Sequence, residues 1–141
     1  MNRLWCVTAG LALLAGGTMV LTLSGAKEKK PPSIKAIMTK AHKGENSLIR
    51  KVGKDLKEDE PNWADVQKKT KQLVSLGSAL GKNEPPQGEK ESWDKLTKQY
   101  VKNAKALDAA AKAKDKEKAE GGFKKLTAMC AVCHKVHKPQ D

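Results

Sequence analysis

Aromatic side chains are scarce in this chain of 141 residues: three tryptophans, one tyrosine and one phenylalanine. Trp5 falls in an N-terminal segment treated separately below. Trp63, Trp93, Tyr100 and Phe123 therefore supply all the large rings of the remaining domain, a thin inventory for a hydrophobic core. Acid is short as well: 28 Lys and Arg face 16 Asp and Glu, for a net charge of +12. The lysines are spread through every segment and interleaved with acids, not gathered with aromatics in one stripe. That distribution reads as a solvated coat and argues against a nucleic-acid site. No stretch alternates convincingly as a strand, which removes the βαβ setting a thioredoxin-like dithiol wants. Cysteine is limited to three residues.

The longest apolar run is at the start. Residues 4 to 23 hold no charged side chain and follow Arg3, and Ser24-Gly25-Ala26 offers the small residues a signal peptidase reads. Residues 1–26 are expected to be a secretory signal, with the product exported to the periplasm or an equivalent compartment. The alternative is a retained anchor, since about 20 apolar residues can just span a bilayer. Cys6 precedes the run and so does not mark a lipidated cleavage site. Residues 27–32, closed by Pro31-Pro32, read as an exposed leader, and 33–141 as one domain.

Four amphipathic helical patterns follow. The first runs from about Ser33 to Leu56, with Ile34, Ile37, Met38, Ala41, Leu48, Ile49, Val52 and Leu56 at three- and four-residue steps. Ser33 is its expected N-cap, and Gly44 and Asn46 weaken its middle. The second follows Pro61, presents Trp63, Val66, Thr70, Leu73, Val74, Gly77 and Leu80, and ends near Gly81. Pro85-Pro86 and Gly88 mark the clearest loop. The third is expected to start at Ser92 as N-cap and carries Trp93, Leu96, Tyr100, Ala104, Leu107 and Ala111. A break near Lys114-Asp115 separates the fourth, with Ala119, Phe123, Leu126, Met129, Cys130 and Cys133, ended by Pro139. Such a set most simply forms an all-α, antiparallel up-down-up-down four-helix bundle. Gly121-Gly122 inside the last helix costs roughly 1 kcal/mol per glycine relative to alanine, which a close approach would explain.

Cys130-Ala131-Val132-Cys133-His134 on that last helix is a c-type haem attachment signature. Two thiols three positions apart can each add across a haem vinyl group, and the adjoining histidine is placed to reach the iron. A zinc site would have to use Cys130, Cys133, His134 and His137. Adjacent Cys133 and His134 suit one tetrahedral ion poorly, and no separated second ligand pair exists. One covalent haem c would also supply the missing apolar surface, on the order of several kcal/mol by area.

Four helices with this motif near the C-terminus resemble the class II c-type cytochromes, the cytochrome c′ family, over roughly Ser33 to Lys138. The resemblance implies thioether bonds at Cys130 and Cys133 and His134 as proximal iron ligand. In low-spin members a first-helix methionine is the sixth ligand, and Met38 stands where it is expected; His42, one turn on, is the competitor. His/Met ligation raises the reduction potential and suits a one-electron carrier that is not an enzyme. The other branch is five-coordinate and binds nitric oxide or carbon monoxide. Two features depart from the family. His137 and Lys138 stand where an aromatic and an arginine are common, and Lys35 is the nearest base to the arginine often found before the methionine. The expected partner is a redox protein with an acidic docking surface, steered by the positive coat; a homodimer is compatible with the family pattern, and membrane contact would require the N-terminal segment to be retained. A Cys130→Ala/Cys133→Ala chain, unable to hold haem, is predicted to lose helicity and its sharp thermal transition. Native helicity with sharp melting in circular dichroism would contradict this.

Overall fold

Two segments account for what the first helical pattern promised as one. In the computed structural model, which describes residues 30–139, α1 covers Ile34–Ala41 and α2 covers Leu48–Asp55. The predicted signal segment with Cys6, and the first half of the leader (27–29), lie outside the described residues. Ser33 caps α1 as expected, its Oγ accepting from the Ala36 N–H at 3.3 Å. The helix expected to run to Leu56, with a kink possible at Gly44 and Asn46, is broken outright: α1 ends at Ala41, and Gly44 follows at φ +80°, in the left-handed region that favours glycine. The chain then restarts at Ser47 in extended conformation. The break lets the two halves face different neighbours. Leu48, Ile49 and Val52 enter the main core, whereas Ile37 joins a second, smaller cluster.

Helix α3, Trp63–Leu80, begins where the Asn62 side chain accepts from the Asp65 N–H, and its C-cap is Gly81. Helix α4, Lys90–Lys112, starts two residues before the expected cap: Glu89 is the N-cap and Ser92 lies inside the first turn. The Ser92 hydroxyl is engaged elsewhere, at His137 Nε2. Lys114 at φ +57° turns the chain, and Asp115 caps α5, Lys116–His137, through the Lys118 N–H at 3.0 Å. The described residues are therefore all-helical, with five helices and no strand, an arrangement compatible with a helical bundle.

Helix α4 packs against both α3 and α5. Leu73, Leu107 and Leu126, one from each of these helices, are fully buried at the centre, each contributing roughly 1.5–3 kcal/mol by removal from water. The buried Thr70 hydroxyl donates to Asp108 Oδ1 at 2.7 Å, so α3 and α4 also share a satisfied polar contact. Lys69 reaches Asp55 and Asp65, each at 2.6 Å, tying α2 to α3. Among the described residues no helix is long and apolar enough to cross a membrane.

Two adjacent glycines of α5 have opposite surroundings. A Cβ on Gly122 would sit 3.2 Å from Leu107 Cα, so α4 passes directly over it. Its neighbour Gly121 faces open space. Opposite outcomes are expected in denaturant unfolding. Gly122→Val should cost about 1–3 kcal/mol, because the backbone of α4 cannot yield. Gly121→Ala should gain up to about 1 kcal/mol from helix propensity.

Candidate functional site

Helix α1 and the C-terminal half of α5 are held apart, and the space between them is a cleft of about 130 Å³ that opens to solvent. From α1 the cleft receives Ile34, Met38 and His42. From α5 it receives Met129, Cys130, Cys133, His134 and His137. Leu80, Trp93, Thr97 and Tyr100 form the floor between them. All five residues singled out from the sequence (Met38, His42, Cys130, Cys133 and His134) thus line one cavity, although α1 and α5 lie at opposite ends of the described chain.

The floor is set by glycine. A Cβ on Gly77 would lie 2.6 Å from the Tyr100 ring, so only glycine leaves α3 a hollow for that ring. Seated there, Tyr100 brings its hydroxyl to 3.1 Å from His42 Nε2, and the two rings meet edge to face at 5.7 Å. Sequence periodicity placed Tyr100 only in the core. The available signal was its polar tip, because a buried tyrosine hydroxyl needs a partner.

Burial holds His42 below the ordinary histidine value, and the nearby His134 adds to the depression. His42 Nδ1 is buried and has no hydrogen-bond partner among the described residues. Burial likewise pushes the Tyr100 hydroxyl upward, with Cys130 and Cys133 contributing. The two cysteines are unpaired, and burial raises both, keeping them as thiols. A thiol is the form that adds to a vinyl group with no change in net charge, whereas a zinc ligand must be a thiolate.

His137 is the residue whose role the sequence left open. It is almost fully buried, at 2% exposure. Its Nδ1 donates to the Gln87 carbonyl at 2.7 Å, which leaves Nε2 to accept from the Ser92 hydroxyl at 3.1 Å. Both ring nitrogens are thereby occupied. The fourth residue of the alternative zinc set is not free to ligate, and among the described residues no group of three or more His, Cys, Asp or Glu is arranged to hold a metal ion.

The donor set fits a haem. A porphyrin brings four of the iron's ligands itself and asks the protein for axial ligands, two sulfurs and apolar walls. The cleft offers His134 with Met38 or His42, the thiols of Cys130 and Cys133, and walls that include Ile34, Leu80, Trp93 and Met129. His42 Nδ1 is in addition an orphaned buried polar atom at this site. Compared with family models, curated proteins and solved structures, the chain matches none.

The depressed His42 gives a pH dependence of definite sign. Above the ordinary value of 6.5 the imidazole is neutral whether the chain is folded or not. Below it the unfolded chain takes up a proton that the buried ring resists, so stability is lost as pH falls through that value and beyond. Unfolding free energy measured against pH should decline on the acid side of 6.5. The decline should be shallower in His42→Gln; an equal slope in the variant would remove His42 as its source.

Proposed function

We propose that this chain is an exported mono-haem c-type cytochrome that carries single electrons, built as an up-down-up-down bundle in which α1 and α2 share the place of the first helix. The observation that carries the reading is the meeting of Cys130, Cys133 and His134 with Met38 in one apolar cleft. A haem bound there supplies reversible one-electron exchange at its iron.

The residues divide the remaining work. Cys130 and Cys133 would hold the group covalently, and His134 would ligate its iron. Met38, presented by α1 from across the cleft, would supply the other protein ligand. Its thioether is soft and neutral, which favours the reduced metal. Trp93, Leu80 and Ile34 exclude water from the site. Met38 lies in α1 and His134 in α5, so helix backbone would fix how both residues approach the group, which would favour fast transfer. Tyr100 engages the competing imidazole of His42 by a hydrogen bond.

The surface supports an acidic partner. From Phe123 to Pro139 the haem-motif helix and its tail carry Lys124, Lys125, Lys135 and Lys138 and no acid, and all four lysines are exposed. Such a face speeds encounter with a negatively charged redox protein and makes the rate fall with salt.

Optical spectra of the purified protein test the ligand set. The carrier reading expects a six-coordinate low-spin spectrum with the near-red methionine-to-ferric-iron band, and loss of that band in Met38→Ala. A high-spin ferrous form that takes up carbon monoxide readily would instead support a gas-binding cytochrome c′. An unchanged low-spin spectrum in Met38→Ala would transfer the sixth position to His42.

A further inference from the structure

His134 poses a problem of orientation. Its ring is exposed and makes no hydrogen bond within the described residues. Histidines that ligate metals almost always donate their second ring N–H to a protein group, and that bond fixes the plane of the imidazole. Here nothing grips the ring, so its direction is inherited from the backbone turn that carries it.

That turn is gripped. Helix α5 ends at His137 with Lys138 as its C-cap; the Lys138 N–H donates to the His134 carbonyl at 3.2 Å, and the carbonyls after it lack intrahelical donors. The Gln87 side-chain amide donates to two of them, Lys138 at 2.7 Å and Val136 at 3.3 Å. In return His137 Nδ1 donates to the Gln87 carbonyl, so a single loop residue is bonded through both its backbone and its side chain. Ser92, in the first turn of α4, holds the other nitrogen of His137. Trp93 closes on the His137 ring edge to face at 5.2 Å. Gly88, at φ +76°, turns the loop tightly enough that a Cβ there would meet His137 Nδ1 at 3.0 Å. The loop is itself anchored at its other end. Asn83 accepts from the Trp93 indole N–H at 2.8 Å, and its amide donates to Pro32 at 3.1 Å.

We infer that His137, with Gln87 and Ser92, is a positioning clasp for the axial ligand: it locks the last turn of α5 to the α3–α4 loop and thereby sets the orientation of the His134 ring. The inference rests on the proposed haem ligation by His134. It assigns His137 no contact with the iron. It also explains why a histidine can stand where the resembling family has a packing aromatic: the position is filled by a ring that both packs on Trp93 and hydrogen-bonds.

The test is proton NMR of the ferric, haem-loaded protein, whose paramagnetically shifted haem methyl resonances report the plane of an axial imidazole. His137→Phe keeps the ring and its packing but removes both hydrogen bonds, and should redistribute the methyl shifts. Ser92→Ala removes one bond and should move them in the same sense by less. His137→Gln, which can still donate to the Gln87 carbonyl, should return them toward the parent pattern. If His137→Phe does not fold, the Ser92→Ala displacement alone decides. Methyl shifts that stay at parent values in His137→Phe, or in Ser92→Ala where His137→Phe does not fold, would overturn the clasp even if the melting temperature falls, since that is the mark of a helix cap alone. A parent protein with no haem absorption at all would refute the haem reading instead, so the two failures are distinguishable.

Discussion

The separation of α1 from the last turns of α5 governs everything at the functional end of this molecule. Helices α3, α4 and α5 close on one another around Leu73, Leu107 and Leu126. Glycine at 122 lets α5 approach α4 at backbone distance, and glycine at 77 lets the Tyr100 ring sink into α3. Helix α1 joins that core only through Ala41. It packs on the end of α3 and the start of α4 through Ile37, Leu80 and Trp93, and leaves an apolar cleft facing α5. A chain so short of aromatics has no large side chain to spare for that space. On the proposed reading, the prosthetic group occupies what the sequence does not fill.

The break at Gly44 is what makes the separation geometrically affordable. A continuous helix from Ser33 to Leu56 would commit its apolar stripe to a single direction. Splitting it gives α2 to the main core and frees α1 to carry Met38 and His42 to the cleft. Charge follows a similar division of labour. The ion pair of Lys69 with Asp55 knits α2 to α3, whereas the lysines along the second half of α5 remain exposed and available for encounter.

Much of this was legible from residue order. The three- and four-residue steps of apolar side chains located α3, α4 and α5, and Gly81 and Lys114-Asp115 marked boundaries where the structure has them. The candidate site was legible as a list, since Cys130, Cys133 and His134 are contiguous and Met38 lies on an apolar stripe. Its assembly was not, because bringing α1 to α5 depends on tertiary packing. Periodicity carried the first helix past Gly44 with at most a kink there, since a left-handed glycine and a merely tolerated one look alike in sequence. Ser92 resembled an N-cap because serine suits that role; its hydroxyl is instead required by His137, a partner 45 residues away. The Tyr100–His42 bond was hidden for the same reason. The last two each involve a polar side chain whose partner is distant in sequence, where local pattern carries no information.

The central claim is covalent: the cleft belongs to a haem held by Cys130 and Cys133. Intact mass spectrometry of the protein, produced in a host able to attach haem to exported proteins and denatured before measurement, tests it most directly. The account predicts a single species heavier than the polypeptide by one haem, with neither Cys130 nor Cys133 reactive toward alkylating reagent. A chain at polypeptide mass with both thiols free to alkylate would contradict it.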